Sequence, residues 1–429
     1  MKKQKNQKNN FVLGAGISGL SAQRSLQKKG VDIESFESNP LPGGLTKSLY
    51  TGDFTFDHTG HLLHLAKHDS PEHLLTDTNN RHWLNIQRKA GIFINNKIIP
   101  APFQYNIGSL DDGLRDFCID SFESRKNIDD PQNLDEYFES NFGHGINSLF
   151  LTPYNEKLYD EPISSFSLET ISRFFPKPDI NLIRDGFNSK PMDDSGYNSR
   201  FWYPEKKGIQ VLVDSLSKDL DINLNCKVEK IDLDSKSILI QGKEYKYNNL
   251  VSSIPLKTFI GLTDDKDLEL LASNLSISST KVFNIGYSNI PDSTYEGYHW
   301  IYFPEKKYKF HRIGFYSNFS KLAAPKGCTS LYVEVGYSET VSPNLKTEII
   351  NQLEGIGVIK NNQIECINEF NMKDSYVKFL HGSKESALEL IRKLEYKNIY
   401  KIGRYGRWDY NSMEDSILDG QDVHRRMSQ

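Results

Sequence analysis

The chain has 429 residues, 52 of them basic and 56 acidic, for a formal net charge of -4 at pH 7. That balance leaves no electrostatic footprint for nucleic acid, the length is enough to bury a large core in two interleaved domains, and no apolar run approaches the ~18 residues of a membrane span. Cys118, Cys226, Cys328 and Cys366 are scattered, without a CxxC or a His at metal spacing, so they read as reduced core thiols and no metal site is expected.

In chain order, Lys2, Lys3, Lys5 and Lys8 among Asn and Gln read as a solvated tail; no apolar stretch of a secretion signal follows, so the protein is expected in the cytoplasm. Phe11 to Leu13 is a short apolar strand entering Gly14-Ala15-Gly16-Ile17-Ser18-Gly19, and Leu20 to Lys29 has its apolar positions at helical spacing. Strand, glycine turn and helix in that order make a dinucleotide site. Gly14 permits the tight turn, Gly16 lets backbone approach a pyrophosphate, Gly19 lets the helix pack close, and the helix N-terminus offers N–H groups to phosphate. Glu37 ends a second predicted strand, Val31 to Phe36, 18 residues after Gly19, where a carboxylate can accept from ribose hydroxyls. A second glycine pair, Gly43-Gly44, follows with Leu45 and lets another loop touch a long cofactor.

Beyond that, Tyr50 to Leu65 is expected as a hairpin or strand and loop, and Asp69 to Trp83 as helical. Ala90 to Ile99 reads as a hairpin turning at Asn95-Asn96. From about 106 to 190 the spacing is helical and punctuated by Pro153, Pro162, Pro176 and Pro178, where a substrate cap would sit. Strand periodicity returns over Asn223 to Ile240, and Asn249 to Pro255 looks like a return to the nucleotide domain. Strand runs at Lys281 to Tyr287, His299 to Phe303, Phe310 to Tyr316 and Ser330 to Val335 could roof a site. Ile399 to Gly420 gives a last strand, a glycine turn and a short helix. The expected class is α/β. A Rossmann-type domain would come from residues 1–65, 205–255 and 396–429, with a discontinuous substrate domain made of a mostly helical insertion, 66–204, and a mixed or antiparallel sheet, 256–395.

The two glycine motifs together resemble the FAD superfamily that includes amine oxidases, protoporphyrinogen oxidase and UDP-galactopyranose mutase. Later stretches are similar to the mutase, most closely its eukaryotic branch: Phe56-Asp57-His58-Thr59-Gly60-His61, Pro102-Phe103-Gln104, Tyr154-Asn155-Glu156-Lys157, His299 to Glu305, Arg312, Ser317 to Ser320, and Gly403 to Tyr410. The resemblance implies FAD, active when reduced, and extends the cofactor-binding set to Ile17, Ser18, Leu45, Val228, Arg404 and Met413. It also implies a nucleotide-diphosphate sugar whose pyranose and furanose forms are interconverted in surface-glycan synthesis, and a reductant for which NAD(P)H is the candidate.

In such a reaction reduced flavin is the nucleophile and no net electrons move, so the protein positions a sugar and stabilises a departing dianion. Arg312 would fork onto phosphate oxygens, with Tyr302, Tyr410 and Gln104 as further substrate contacts. His61 would lie against the flavin, where its protonation could favour the anionic reduced form. The alternative the same motifs allow is an FAD-dependent oxidoreductase of the amine oxidase type, for which an apolar cage and no diphosphate ligand are expected.

The chain departs from the mutase pattern at four places: Trp202 replaces an arginine taken to bind diphosphate, Ala101 and Phe319 replace tyrosines, and Thr59 replaces a glycine. Losing one charge-assisted contact costs about 1.5 to 3 kcal/mol unless another group replaces it. Arg200, two residues before Trp202, would share its side only in an extended segment.

Overall fold

The structure, a computed structural model, describes residues 9–75, 82–171, 178–188, 199–290 and 293–428. The tail lysines 2, 3, 5 and 8, and Pro176, lie outside them.

The nucleotide side is a four-stranded parallel sheet in the order Ile399–Lys401, Asn249–Ser252, Asn10–Leu13, Glu34–Phe36. Phe11 pairs with Leu250 on one side and Glu34 on the other, and Leu250 pairs with Ile399. Parallel strands covered on both faces are buried on both sides, and the inner two bury Phe11, Val12 and Leu13 and Leu250, Val251 and Ser252 in succession. Both late stretches thus return to the sheet of the first strand, Asn249–Ser252 beside it and Ile399–Lys401 one strand further out. The second strand is shorter than its apolar run, because the helix Ile17–Lys28 closes through Gly30 at φ 78°, with the Val31 N–H donating to Leu26 O at 3.0 Å.

The helix Ile17–Lys28 lies on the helix Met413–Met427, tied by Ser21 Oγ to Ile417 O and Ser25 Oγ to Gln421 O, both at 2.7 Å. Their approach is close enough that a Cβ on Gly420 would stand 2.3 Å from Ser18 O.

The second sheet has seven strands, ordered Ile364–Lys378, Ser276–Tyr287, Thr329–Tyr337, Arg312–Phe315, Trp300–Tyr302, Ala90–Ile94, Lys97–Pro100. All its pairings are antiparallel except Trp300–Tyr302 against Ala90–Ile94. The Ala90–Pro100 hairpin turns at Asn95 and Asn96, with φ of 50° and 60°, the left-handed pair that asparagine tolerates. The edge strand Ile364–Lys378, 15 residues long, was not legible in the sequence, since its charged and apolar residues keep no steady period.

Among the described residues, four α-helices lie between positions 106 and 190: Asp112–Glu123, Leu134–Ile146, Thr152–Tyr159 and Ile180–Asp185. Their core, which includes Phe103, Phe122, Phe138 and Phe166, receives Tyr154, Tyr302, Tyr376 and Tyr410 at its margin. Of the helix expected over Asp69 to Trp83, Pro71–Leu74 is helical, residues 76–81 lie outside the described residues, and Trp83 begins the strand Trp83–Gln87, which pairs with Arg200–Pro204.

Candidate functional site

The glycine turn is built as its spacing requires. Gly14 has φ 93°, and a Cβ there would stand 2.5 Å from Ser253 Oγ; one on Gly19 would stand 1.9 Å from Gly14 O. The helix that follows starts with no side-chain cap and no acidic residue in its first turn. Its N-terminal N–H groups and dipole are therefore left for an anion. The second glycine pair folds onto the first: Gly43 N donates to Ala15 O at 2.8 Å, and a Cβ on Gly44, φ 61°, would stand 3.1 Å from Gly16 Cα. Glu37 is buried at the end of its strand, accepting from Ala15 N at 2.7 Å and Asn39 N at 2.9 Å. Val228 begins a strand two residues after Cys226, whose N–H donates to Glu37 O at 2.7 Å.

Gly403, φ 74°, closes over this end, where a Cβ would stand 2.4 Å from Ser18 Oγ. Arg404 follows. Its buried Nε has no hydrogen-bond partner, and its guanidinium lies 5.4 Å from the Tyr410 ring centroid. An uncapped helix, a glycine cradle and an orphaned buried guanidinium N–H all fit an anionic dinucleotide cofactor. Leu45 packs against the cluster that holds Phe54 and Phe56, and Met413, first residue of the last helix, packs against the cluster that Trp202 also borders.

The loop carrying His61 hangs from Asp57. The Asp57 carboxylate is fully buried and accepts from Ser48 Oγ at 2.6 Å, Tyr203 OH at 2.7 Å and Ile209 N at 3.1 Å. Burial pushes it up to about 7 against those three donors. Beneath the loop the Tyr332 ring leaves no room for a side chain on Gly60, since a Cβ there would stand 2.4 Å from Tyr332 OH. His61 itself is pulled down to about 3, first by burial and then by His58, Arg404 and Arg312, against Glu334. Without an anion beside it, the ring is neutral near pH 7. In this surrounding it can offer one N–H and no charge.

Arg312 stands opposite Glu334 on neighbouring strands. Its Nε and Nη2 meet Glu334 Oε2 and Oε1 at 2.5 and 2.8 Å, with His311 Nε2 behind at 3.3 Å. Burial raises the Glu334 carboxyl, but Arg312 and His311 outweigh it and hold the group at about 2. Around this pair stand Tyr302, edge-on to Tyr154 at 5.0 Å, and Tyr376, pushed up to about 12 by burial while Arg312 and Arg404 pull it down. Tyr410 hydrogen-bonds the Tyr159 hydroxyl. Arg312, Arg404 and three tyrosines are thus brought together. Gln104 sits half-buried in the turn Phe103–Tyr105, three residues after Ala101, which packs in the same cores as Tyr302.

Arg200 is in an extended strand, yet it does not replace the arginine missing at Trp202: its Nε donates to Asn85 Oδ1 at 2.8 Å on the exposed side. Sequence reasoning missed Glu334 and Tyr376. For Glu334 a signal existed, a lone acid in the apolar strand Thr329–Tyr337; for Tyr376 there was none. A concavity outside Tyr410 is lined by four basic and four acidic side chains and carries no net charge.

Residues 12–77 match the family described as NAD(P)-binding Rossmann-like domain. Protoporphyrinogen oxidase 2 of Arabidopsis thaliana, chloroplastic/mitochondrial, is 24% identical over 258 residues, 53% of this chain and 51% of that protein, so the chain matches about half the length of this relative. A crystal structure of reduced UDP-galactopyranose mutase superposes with a TM-score of 0.90 and 25% identity over 97% of this chain and 93% of that one. A protoporphyrinogen oxidase-like protein from Exiguobacterium sp. 255-15 superposes at 0.75 with 17% identity over 98% and 99%, a likeness of fold alone. No helix among the described residues is long and apolar enough to cross a membrane.

Proposed function

We propose that this chain, UDP-galactopyranose mutase-like and of the amine oxidase and protoporphyrinogen oxidase superfamily, binds FAD and interconverts the pyranose and furanose forms of a nucleotide-diphosphate sugar. The observation that carries this reading is the convergence of Arg312, Arg404, Tyr302, Tyr376 and Tyr410 at the margin of the helical insertion. FAD in its reduced form would supply the nucleophile. The chain's own residues bind and orient. Gly14, Gly16, Ile17, Ser18 and Gly19 would hold the pyrophosphate, with Gly43, Gly44 and Leu45 against the cofactor's middle. Glu37 and Val228 would take the adenosine end, and Arg404 and Met413 the flavin end.

Arg312 keeps N–H groups beyond the two bound to Glu334, and these, with the tyrosine hydroxyls and Gln104, would receive the diphosphate. His61, neutral, would offer a hydrogen bond at the flavin.

One observation favours a second reading, an FAD-dependent oxidoreductase: two N–H groups of Arg312 are already bound to Glu334, and Trp202 stands where the mutase pattern has a diphosphate-binding arginine. The deciding experiment is anaerobic incubation of dithionite-reduced protein with UDP-, dTDP- and GDP-sugars. Isomerised sugar with no flavin reoxidation supports the mutase reading. If no nucleotide sugar binds, that reading fails and electron-donor screening takes its place.

A further inference from the structure

Lys401, the last residue of the strand Ile399–Lys401, has no exposed surface. Its Nζ donates to Ser252 Oγ at 3.1 Å and Ile254 O at 2.7 Å and lies 4.0 Å from the Phe259 ring centroid. None of these partners is charged. Lysine is almost never buried whole without an acidic partner, because desolvating an ammonium costs several kcal/mol; a methionine would fill the same space without that cost.

The position gives the amine a purpose. Its acceptors flank Ser253, whose hydroxyl donates to Leu13 O and Gly14 O at 3.3 Å and so forms the floor of the glycine turn. On the other side a Cβ on Gly406 would stand 3.5 Å from Lys401 Cε, in the same short helix whose Gly403 closes on Ser18. The amine therefore lies behind the edge of the parallel sheet, on the segments that frame the candidate pyrophosphate site.

The charged groups on the packed elements do not hold a proton there. Arg426 donates to Lys401 O at 3.0 Å and occupies Glu395 and Asp419, Arg407 also pairs with Asp419, and Lys257 is bound to Leu275 O. Arg404, a cation, stands on the neighbouring helix. Burial accordingly pulls the amine well below the usual lysine range.

We propose that Lys401 is a proton site coupled to cofactor binding: the amine is uncharged in the cofactor-free protein and takes one proton from solvent when an anionic pyrophosphate occupies the glycine turn. The proposal rests on the assignment of FAD to that turn and is independent of the substrate.

The test is calorimetric titration of FAD into cofactor-stripped protein at pH 7.5, in two buffers of different ionisation enthalpy. Wild type should take up close to one proton per FAD more than Lys401→Met or Lys401→Arg, the latter staying charged throughout. Its FAD affinity should weaken about tenfold per pH unit through the alkaline range, while both variants stay flatter. Uptake equal in wild type and Lys401→Arg, or none in wild type, would overturn the proposal. If the methionine variant does not fold, the arginine variant carries the comparison. Protein that binds no FAD would overturn the cofactor assignment and this proposal with it.

Discussion

Arg312 and Glu334 face each other across adjacent antiparallel strands as a two-pronged ion pair, with Glu334 99% buried and its carboxyl held at about 2. An arginine expected to greet a substrate phosphate thus spends two of its N–H groups inside the protein. The pair fixes the plane of the guanidinium, which is how a fork is aimed. Removing one partner leaves a buried charge. Arg312→Ala should therefore cost about 3 to 5 kcal/mol in urea unfolding, besides weakening nucleotide binding at least tenfold. Arg312→Met combined with Glu334→Met should recover most of the stability and none of the nucleotide affinity. Wild-type stability in Arg312→Ala would contradict the pairing, and unchanged nucleotide affinity would contradict the role.

The glycine before the helix and the one in its first turn should fail differently. A Cβ on Gly19 would press into Gly14 O at 1.9 Å, whereas one on Gly16 meets nothing nearer than Gly44 Cα at 3.8 Å. Gly19→Ala should lower the thermal midpoint of the protein. Gly16→Val should fold normally by circular dichroism and be colourless after purification; a yellow Gly16→Val with full FAD content would remove the glycine turn from the cofactor site.

Asp57 gives a pH signature of known sign. Its carboxyl is held at about 7 in the fold against an ordinary value of 3.8, so the fold binds its proton more tightly than the unfolded chain. The stability this confers is complete below pH 3.8 and is lost as pH rises through about 7, up to about 4 kcal/mol at 1.36 kcal/mol per unit. His58 and His299, both lowered to about 4, slope the opposite way, losing stability as pH falls. The difference between wild type and Asp57→Asn, measured by urea unfolding at pH 5, 6 and 8, isolates the carboxyl. It should shrink wild type's advantage as pH rises; a constant difference would show that Asp57 is ionised throughout.

Tyr376 lies where both arginines act on its hydroxyl. Tyr376→Phe should weaken nucleotide binding by about 1 kcal/mol, near fivefold, with FAD content unchanged. Equal affinity in a direct titration would place the hydroxyl outside the pocket.

The sequence by itself determined the nucleotide half. Gly14, Gly16 and Gly19 leave one arrangement of strand, turn and helix, and Asn95-Asn96 one kind of hairpin, because these depend on backbone conformations and contacts a few residues apart. The motifs that single out Arg312, Tyr302 and Tyr410 are likewise short and local. Only the tertiary structure decided what surrounds them. Glu334 reaches Arg312 through strand register, Tyr376 arrives on an edge strand with no steady period, Arg200 turns to Asn85, and the burial that shifts Asp57, Lys401 and His61 comes largely from residues more than a hundred positions away. Charge state and hydrogen-bond partner are properties of neighbours in space, and those neighbours are set by sheet pairing and packing rather than by spacing along the chain.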